Sequence, residues 1–118
     1  MFFRVLFHNF LSVGYNNSME QSFDRTEQLI GKNALEILGT KHVAIAGLGG
    51  VGSYACEALA RSGIGALTLI DKDTVAPSNI NRQLYALTET IGKEKTMIAR
   101  ERIAAINPNC RVRTFTAF

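Results

Sequence analysis

The sequence predicts an α/β fold, a doubly wound parallel sheet that breaks off after the start of its third strand. Two observations predict it. Residues His42–Gly47 and Ala66–Asp71 are short apolar, partly β-branched runs of the kind found in buried parallel strands. Between them lie a glycine-rich turn and a helical stretch, so strand, turn, helix and strand follow one another in about thirty residues, the length of a βαβ unit. Its crossover is expected to be right-handed.

The other elements follow from local chemistry. Asp24 is expected to cap a helix over Arg25–Ile30, interrupted by Gly31. A second short helix, Asn33–Leu38, is closed by Gly39. The helix after the glycine turn runs to about Arg61 and ends at Ser62-Gly63. Pro77, Ser78 and Asn79 make residues 74–81 a loop. Residues Lys93–Ile106 read as a helix with Thr96, Ala99, Ile103 and Ile106 on one face, stopped by Asn107-Pro108. Arg111–Thr116 opens a third strand.

The 118 residues fit one domain, and 47% hydrophobic with 19% charged residues is a globular composition. Charge is uneven: residues 1–71 carry 5 basic and 6 acidic side chains, net −1, and residues 72–118 carry 8 and 4, net +4. The second half therefore suits a polyanion such as a triphosphate or an RNA backbone. Two cysteines, Cys56 and Cys110, are too few for a disulfide scaffold or a zinc site and fit a reducing cytoplasm. Residues 1–18 stand apart as an apolar leader with Arg4 as its one strong charge. They are too short to span a bilayer and lack a small-residue cleavage site. They are read either as a packing or membrane-surface helix or as a start assigned ahead of Met19. Residues 19–118 then form the front half of a nucleotide-binding domain.

Gly47-x-Gly49-x-x-Gly52 carries the chemistry. Its glycines permit a tight turn, close approach of backbone to phosphate, and close packing of helix on strand. The helix that follows presents free N–H groups and a positive dipole end to an anion. Asp71 lies 19 residues beyond Gly52, at the end of the second strand, where a carboxylate accepts both ribose hydroxyls. This arrangement is Rossmann-like and calls for an adenine nucleotide, but leaves NAD, FAD and ATP open. The residues after Asp71 favour phosphoryl or nucleotidyl transfer. Arg82 can fork two oxygens and Lys95 can serve as a point charge, while Asn79 can donate an amide hydrogen. Taken singly, these cations are ordinary surface charges; with Asp71 and the glycine turn they make a set.

The run Asp71-Lys72-Asp73-Thr74-Val75 leading into Ser78-Asn79-Ile80-Asn81-Arg82-Gln83 resembles the signature of the ubiquitin-activating superfamily. That superfamily includes the enzymes that adenylate sulfur-carrier proteins. The resemblance implies ribose binding by Asp71, phosphate binding by Asn79, Arg82 and Lys95, and Gly49 and Gly50 lying against the nucleotide. Gly47, Gly52 and Asp73 join that set, although Asp73 equally suits a loop hydrogen bond. An arginine reaching across a homodimer is implied, and Arg25 occupies the similar place. Within the superfamily, Ala60–Gly65, Asn79–Gln83 and Arg102-Ile103 with Ile106–Cys110 resemble the tRNA threonylcarbamoyladenosine dehydratases. That implies ATP-dependent carboxylate activation on tRNA and Mg2+ held by an aspartate beyond Phe118, so the chain by itself is expected to be incomplete. No metal ligand is assigned within the chain. A sulfur carrier or a cysteine desulfurase is the alternative partner, and no DNA partner is implied. An NAD-dependent oxidoreductase and an inactive nucleotide-binding fragment are the rival readings. His42 and Cys56 read as structural.

Overall fold

The computed structural model describes the backbone of residues 5–9 and residues 21–117 in full. Four strands form one sheet in the order β1 (Val5–Asn9), β2 (Lys41–Ala46), β3 (Ala66–Ile70) and β4 (Arg111–Phe115). β2, β3 and β4 are parallel, with Val43 opposite Leu67 and Leu67 opposite Val112. β1 runs antiparallel on the free edge of β2, Phe7 opposite Val43. The leader thus contributes a strand at Val5–Asn9, where one of the two readings was a packing or membrane-surface helix. An unpaired edge on β2 would leave a row of N–H and C=O groups without partners, and an added strand supplies them. The rest of the leader lies outside the described residues. Among the described residues no helix is long and apolar enough to cross a membrane.

Helices α3 (Gly52–Arg61) and α4 (Lys95–Ile106) are the crossovers of the two parallel connections, and the core lies between them and the sheet. Val43, Ile45, Leu67 and Leu69 point into it, with Cys56 and Ala60 from α3 and Ala99 and Ile103 from α4. The strands were expected to be buried on both faces. Instead β2 alternates: Val43 and Ile45 are buried, His42, Ala44 and Ala46 only partly so. Both crossover helices pack on one face of the sheet, so the apolar composition of β2 exceeds what the described residues bury. The α4 face is as expected, with Thr96, Ala99 and Ile103 buried and Ile106 partly covered. The helix begins at Lys95 rather than Lys93, because residues 92–93 close a loop. Gly92 N–H donates to the Val75 carbonyl, and Val75 N–H to that of Lys93.

Between β1 and β2 lie α1 (Asp24–Ile30) and α2 (Lys32–Gly39). Asp24 is the first residue of α1 and not its cap. Phe23 takes the cap position with no side-chain hydrogen bond, because its ring is anchored beside Gly63. Asp24 still lies in the first helical turn, where a negative charge meets the positive dipole end. Gly65 is required by contact: a Cβ there would lie 1.9 Å from the Gly39 carbonyl oxygen.

One ion-pair cluster joins the two crossover helices. Arg102 donates through Nε and Nη2 to both oxygens of Glu57, at 2.6 and 2.9 Å, and Arg61 Nε donates to Glu57 Oε1 at 2.9 Å. The Arg102 hydrogen bonds hold the Glu57 carboxyl below the ordinary carboxylate range, against the opposing effect of burial. A carboxyl with a depressed folded pKa contributes stability that is complete above its unfolded value, about 4.3, and is lost as pH falls through the folded value. Thermal melts of the unsubstituted chain should therefore drop as the pH falls below about 4.3, and Glu57→Gln should flatten that drop. Parallel acid profiles for the two proteins would show that the cluster contributes nothing.

Candidate functional site

The site lies at the carboxyl ends of β2 and β3, where a parallel sheet of this kind opens its crevice. Gly47 extends the β2–β3 ladder by donating to the Ile70 carbonyl at 2.8 Å, then turns the chain with φ of 91°. Such a φ favours glycine. Residues 48–51 lead into α3, whose N-terminus has no side-chain cap and so offers a ligand its first-turn N–H groups other than that of Ser53, which donates to the Gly49 carbonyl.

Gly52 and Gly50 serve different ends. A Cβ on Gly52 would lie 1.8 Å from the Gly47 carbonyl oxygen, so Gly52 is demanded by the close packing of α3 on its own turn. A Cβ on Gly50 would meet only Arg82, at 3.6 Å from its carbonyl oxygen and 3.8 Å from its Cγ, which is ordinary contact. Internal packing therefore does not call for a glycine at 50. Gly49 is buried, and its carbonyl accepts from the Ser53 N–H and hydroxyl.

Asp71 follows β3 directly and is 5% exposed. Its Oδ2 accepts the Leu48 N–H at 2.7 Å and its Oδ1 accepts the Asp73 N–H at 2.8 Å. Each carboxylate oxygen has two acceptor sites, so one on each remains for two neighbouring donors. The carboxylate is thereby tied to the glycine turn from the adjacent strand.

The cations reach the same end of the sheet by the segment 72–94. That segment is ordered by buried Val75, Tyr85 and Ala86 and by an antiparallel bridge between Thr74 and Glu94. Lys95 N–H donates to the Asp73 carbonyl at 3.2 Å, which puts the first residue of α4 beside the Asp71 turn. The Lys95 side chain is buried, and its Nζ lies 3.9 Å from the exposed carboxylate of Asp73. A buried cation at the positive end of a helix, with one long ion pair, is poorly compensated within the protein and favours an added anion. Arg82 is exposed; its Nη1 donates to the Ser78 carbonyl at 3.0 Å and to Asn81 Oδ1 at 2.9 Å, leaving Nη2 and Nε to face outward chemistry. Asn79 Oδ1 accepts from the Ala76 N–H at 3.0 Å and so shapes the short turn Pro77–Asn79, with Nδ2 as its donor group.

Arg25 is not brought to this end. It sits on α1, two residues from Phe23, which packs beside Gly63 past the far end of α3. The ten residues of α3 span roughly 15 Å. Near that far end a cavity of about 520 Å³ is lined by Ser22, Phe23, Arg61, Arg102, Ala105 and Ile106. Three other residues have structural settings. His42 Nε2 hydrogen-bonds the Thr68 hydroxyl at 2.7 Å. Burial pushes the Cys56 and Cys110 thiols up to about 11 and about 12, the range of unreactive thiols. Sequence reasoning missed Ser53, which joins the glycine turn to the Arg82 segment through one buried and one part-buried hydrogen bond. A serine in a first helical turn carries no sequence signal for a contact 31 residues away.

A Rossmann-like crevice with an uncapped helix, a buried acid directly after the adjacent strand and two basic residues is the arrangement found in α/β proteins that bind nucleotides. The sequence model of the ThiF family matches residues 23–118, and the chain belongs to that family. It is 48% identical over 102 residues to the tRNA threonylcarbamoyladenosine dehydratase of Escherichia coli, covering 86% of this chain and 38% of that protein. The Bacillus subtilis dehydratase is 53% identical over 94 residues, 80% of this chain and 37% of that one. The molybdopterin-synthase adenylyltransferase of Salmonella typhimurium is 43% identical over 77 residues, 65% of this chain. The crystal structure of the E. coli dehydratase in complex with ATP superposes with a TM-score of 0.87 at 46% identity, covering 90% of this chain and 44% of that chain. The chain thus spans about two fifths of the length of these dehydratases.

The two glycines can be told apart by folding. Gly52→Ala should destabilise the chain by at least about 3 kcal/mol, since backbone must move to admit the methyl group. Gly50→Ala should change stability by less than about 1 kcal/mol, because its methyl meets only ordinary contacts. Urea unfolding measures both; equal losses would contradict the separate roles.

Proposed function

We propose that this chain supplies the nucleotide-binding part of an ATP-dependent enzyme that activates a carboxylate, and that the substrate is threonylcarbamoyladenosine in tRNA. The observation that carries the reading is the meeting, at one end of the sheet, of the uncapped α3, the pinned Asp71 and the under-compensated Lys95. Identity to two dehydratases, over more of the chain than to the adenylyltransferase, supports tRNA as substrate. In this reading Asp71 accepts the ribose hydroxyls. Gly47, Gly49, Gly50 and Gly52 form the turn against the nucleotide. Asn79, Arg82 and Lys95 hold the phosphates, and Asp73 sets Lys95.

The chemistry follows from charge. A carboxylate is a poor acyl donor because its oxygen leaves badly. Attack of the threonyl carboxylate oxygen on a phosphorus of ATP forms a mixed anhydride and expels the remaining phosphate chain. The neighbouring carbamoyl group then attacks the acyl carbon, closes a ring and releases the phosphorylated leaving group, with net loss of one water. Arg82, Lys95 and the α3 N-terminus stabilise the negative charge that grows on the departing oxygens. The described residues do not make a magnesium site alone. Both Asp71 oxygens already accept N–H groups, Asp73 is drawn to Lys95, and no group of three His, Cys, Asp or Glu is close enough to hold an ion among the described residues.

Arg25 lies past the far end of α3 from its own crevice, and that separation supports a role in trans, from a second subunit of a homodimer. A ubiquitin-like sulfur carrier is the second reading, favoured by the adenylyltransferase identity alone.

A chimera tests the assignment: residues 23–118 replacing the matching part of the E. coli dehydratase. With ATP and tRNA carrying threonylcarbamoyladenosine, mass spectrometry should show loss of one water from the modified base. Arg82→Ala or Lys95→Ala in the chimera should lower turnover by roughly a hundredfold to a thousandfold, the effect of losing one preorganised transition-state donor. Arg25→Ala should also abolish turnover, and mixing it with Arg82→Ala should restore part of it through hybrid dimers. A folded, ATP-binding chimera that adenylates a sulfur carrier and leaves tRNA unchanged would overturn the substrate.

A further inference from the structure

The two halves of the crevice come from distant parts of the chain. The glycine turn belongs to residues 47–52 and the Arg82 segment to residues 77–87. Each could hold its shape while the gap between them varied, and a phosphate chain clamped from both sides would feel that variation.

Ser53 bridges the gap. It is fully buried in the first turn of α3. Its hydroxyl donates to the Gly49 carbonyl at 2.6 Å and accepts the Leu84 N–H at 3.2 Å. A hydroxyl has one hydrogen to give, and here it goes to the turn, so the oxygen is left to accept from the Arg82 side. Leu84 is two residues beyond Arg82. Gly50 packs on the backbone and Cγ of Arg82 on the same flank. The hydroxyl therefore ties the glycine turn to the segment that carries Arg82.

We propose that Ser53 is a positioning residue of the phosphate site, holding Arg82 in register with the glycine turn. The inference rests on the nucleotide reading above and assigns Ser53 no contact with the nucleotide. Replacing it by alanine leaves the part-buried Leu84 N–H without its acceptor and the Gly49 carbonyl with a single donor. The Arg82 segment must then shift to find another partner. Asp71 is held by other groups, Leu48 N–H and Asp73 N–H, so the ribose side stays in place.

Calorimetry on the 118-residue chain with ATP and with adenosine separates the two sides. Ser53→Ala should weaken ATP about tenfold, the scale of one buried hydrogen bond, and leave adenosine within about twofold. In an Arg82→Ala background the same substitution should change ATP affinity by less than about twofold, since the group it positions is gone. Equal losses for ATP and adenosine, or additive effects of the two substitutions on ATP, would reduce Ser53 to a folding residue and overturn the proposal. If Ser53→Ala fails to fold, hydrogen exchange on the unsubstituted chain decides. ATP should raise protection of the Leu84 amide, and should not in Arg82→Ala; an amide indifferent to ATP in both would overturn it. Absence of ATP binding by the unsubstituted chain, with adenosine or without, would instead sink the nucleotide reading and the positioning role with it.

Discussion

The hydrogen bond from the Leu48 N–H to the Asp71 carboxylate joins two strands at the point where the chain stops being a sheet and becomes a site. β2 and β3 are already paired along their length, and that pairing ends at the Gly47–Ile70 bond. Beyond it, backbone alone would splay. The Asp71 carboxylate replaces the missing ladder partner on one side and turns its own chain through the Asp73 N–H on the other. A buried carboxylate is costly unless its oxygens are satisfied, and two short N–H bonds meet part of that need. The remaining acceptor sites are what a ribose diol can use.

The positive charges are arranged on the same principle. Lys95 is buried beside Asp71's turn because the loop 72–94 folds back through the Thr74–Glu94 bridge. A lysine at the start of a helix opposes the dipole, and Asp73 compensates it only across 3.9 Å. Arg82 is held from behind by a carbonyl and an amide oxygen, which orients the guanidinium without neutralising it. The crevice is therefore pre-set for negative charge. Preorganised cations are worth more to a reaction than flexible ones, because they need not reorient when charge develops.

Much of this was legible in the residues, for identifiable reasons. The strand–turn–helix–strand unit was readable because its apolar runs are short and its glycines are closely spaced. Asp71, Arg82 and Lys95 could be grouped because residue type and spacing carry the chemistry. The departures have physical causes. β1 was hidden because an apolar leader without periodicity fits helix or strand, and only an unpaired edge on β2 selects the strand. Asp24 missed the cap because burial of the Phe23 ring fixed where α1 begins. The apolar run in β2 overstated its burial because both crossover helices pack on one face. Ser53 had no signal, since a hydrogen bond to a residue 31 positions away is a property of the fold.

In the proposed reading, Asp71, the glycine turn and the two cations recognise an adenine nucleotide by its free ribose and its terminal phosphates. Titration of the chain with ATP, AMP and NAD by calorimetry tests it most directly. ATP should bind at least about tenfold more tightly than AMP or NAD, since only ATP brings a terminal triphosphate to Arg82 and Lys95. Asp71→Asn should weaken all three. Tighter binding of NAD than ATP, or an Asp71→Asn variant that binds as the unsubstituted chain does, would contradict it.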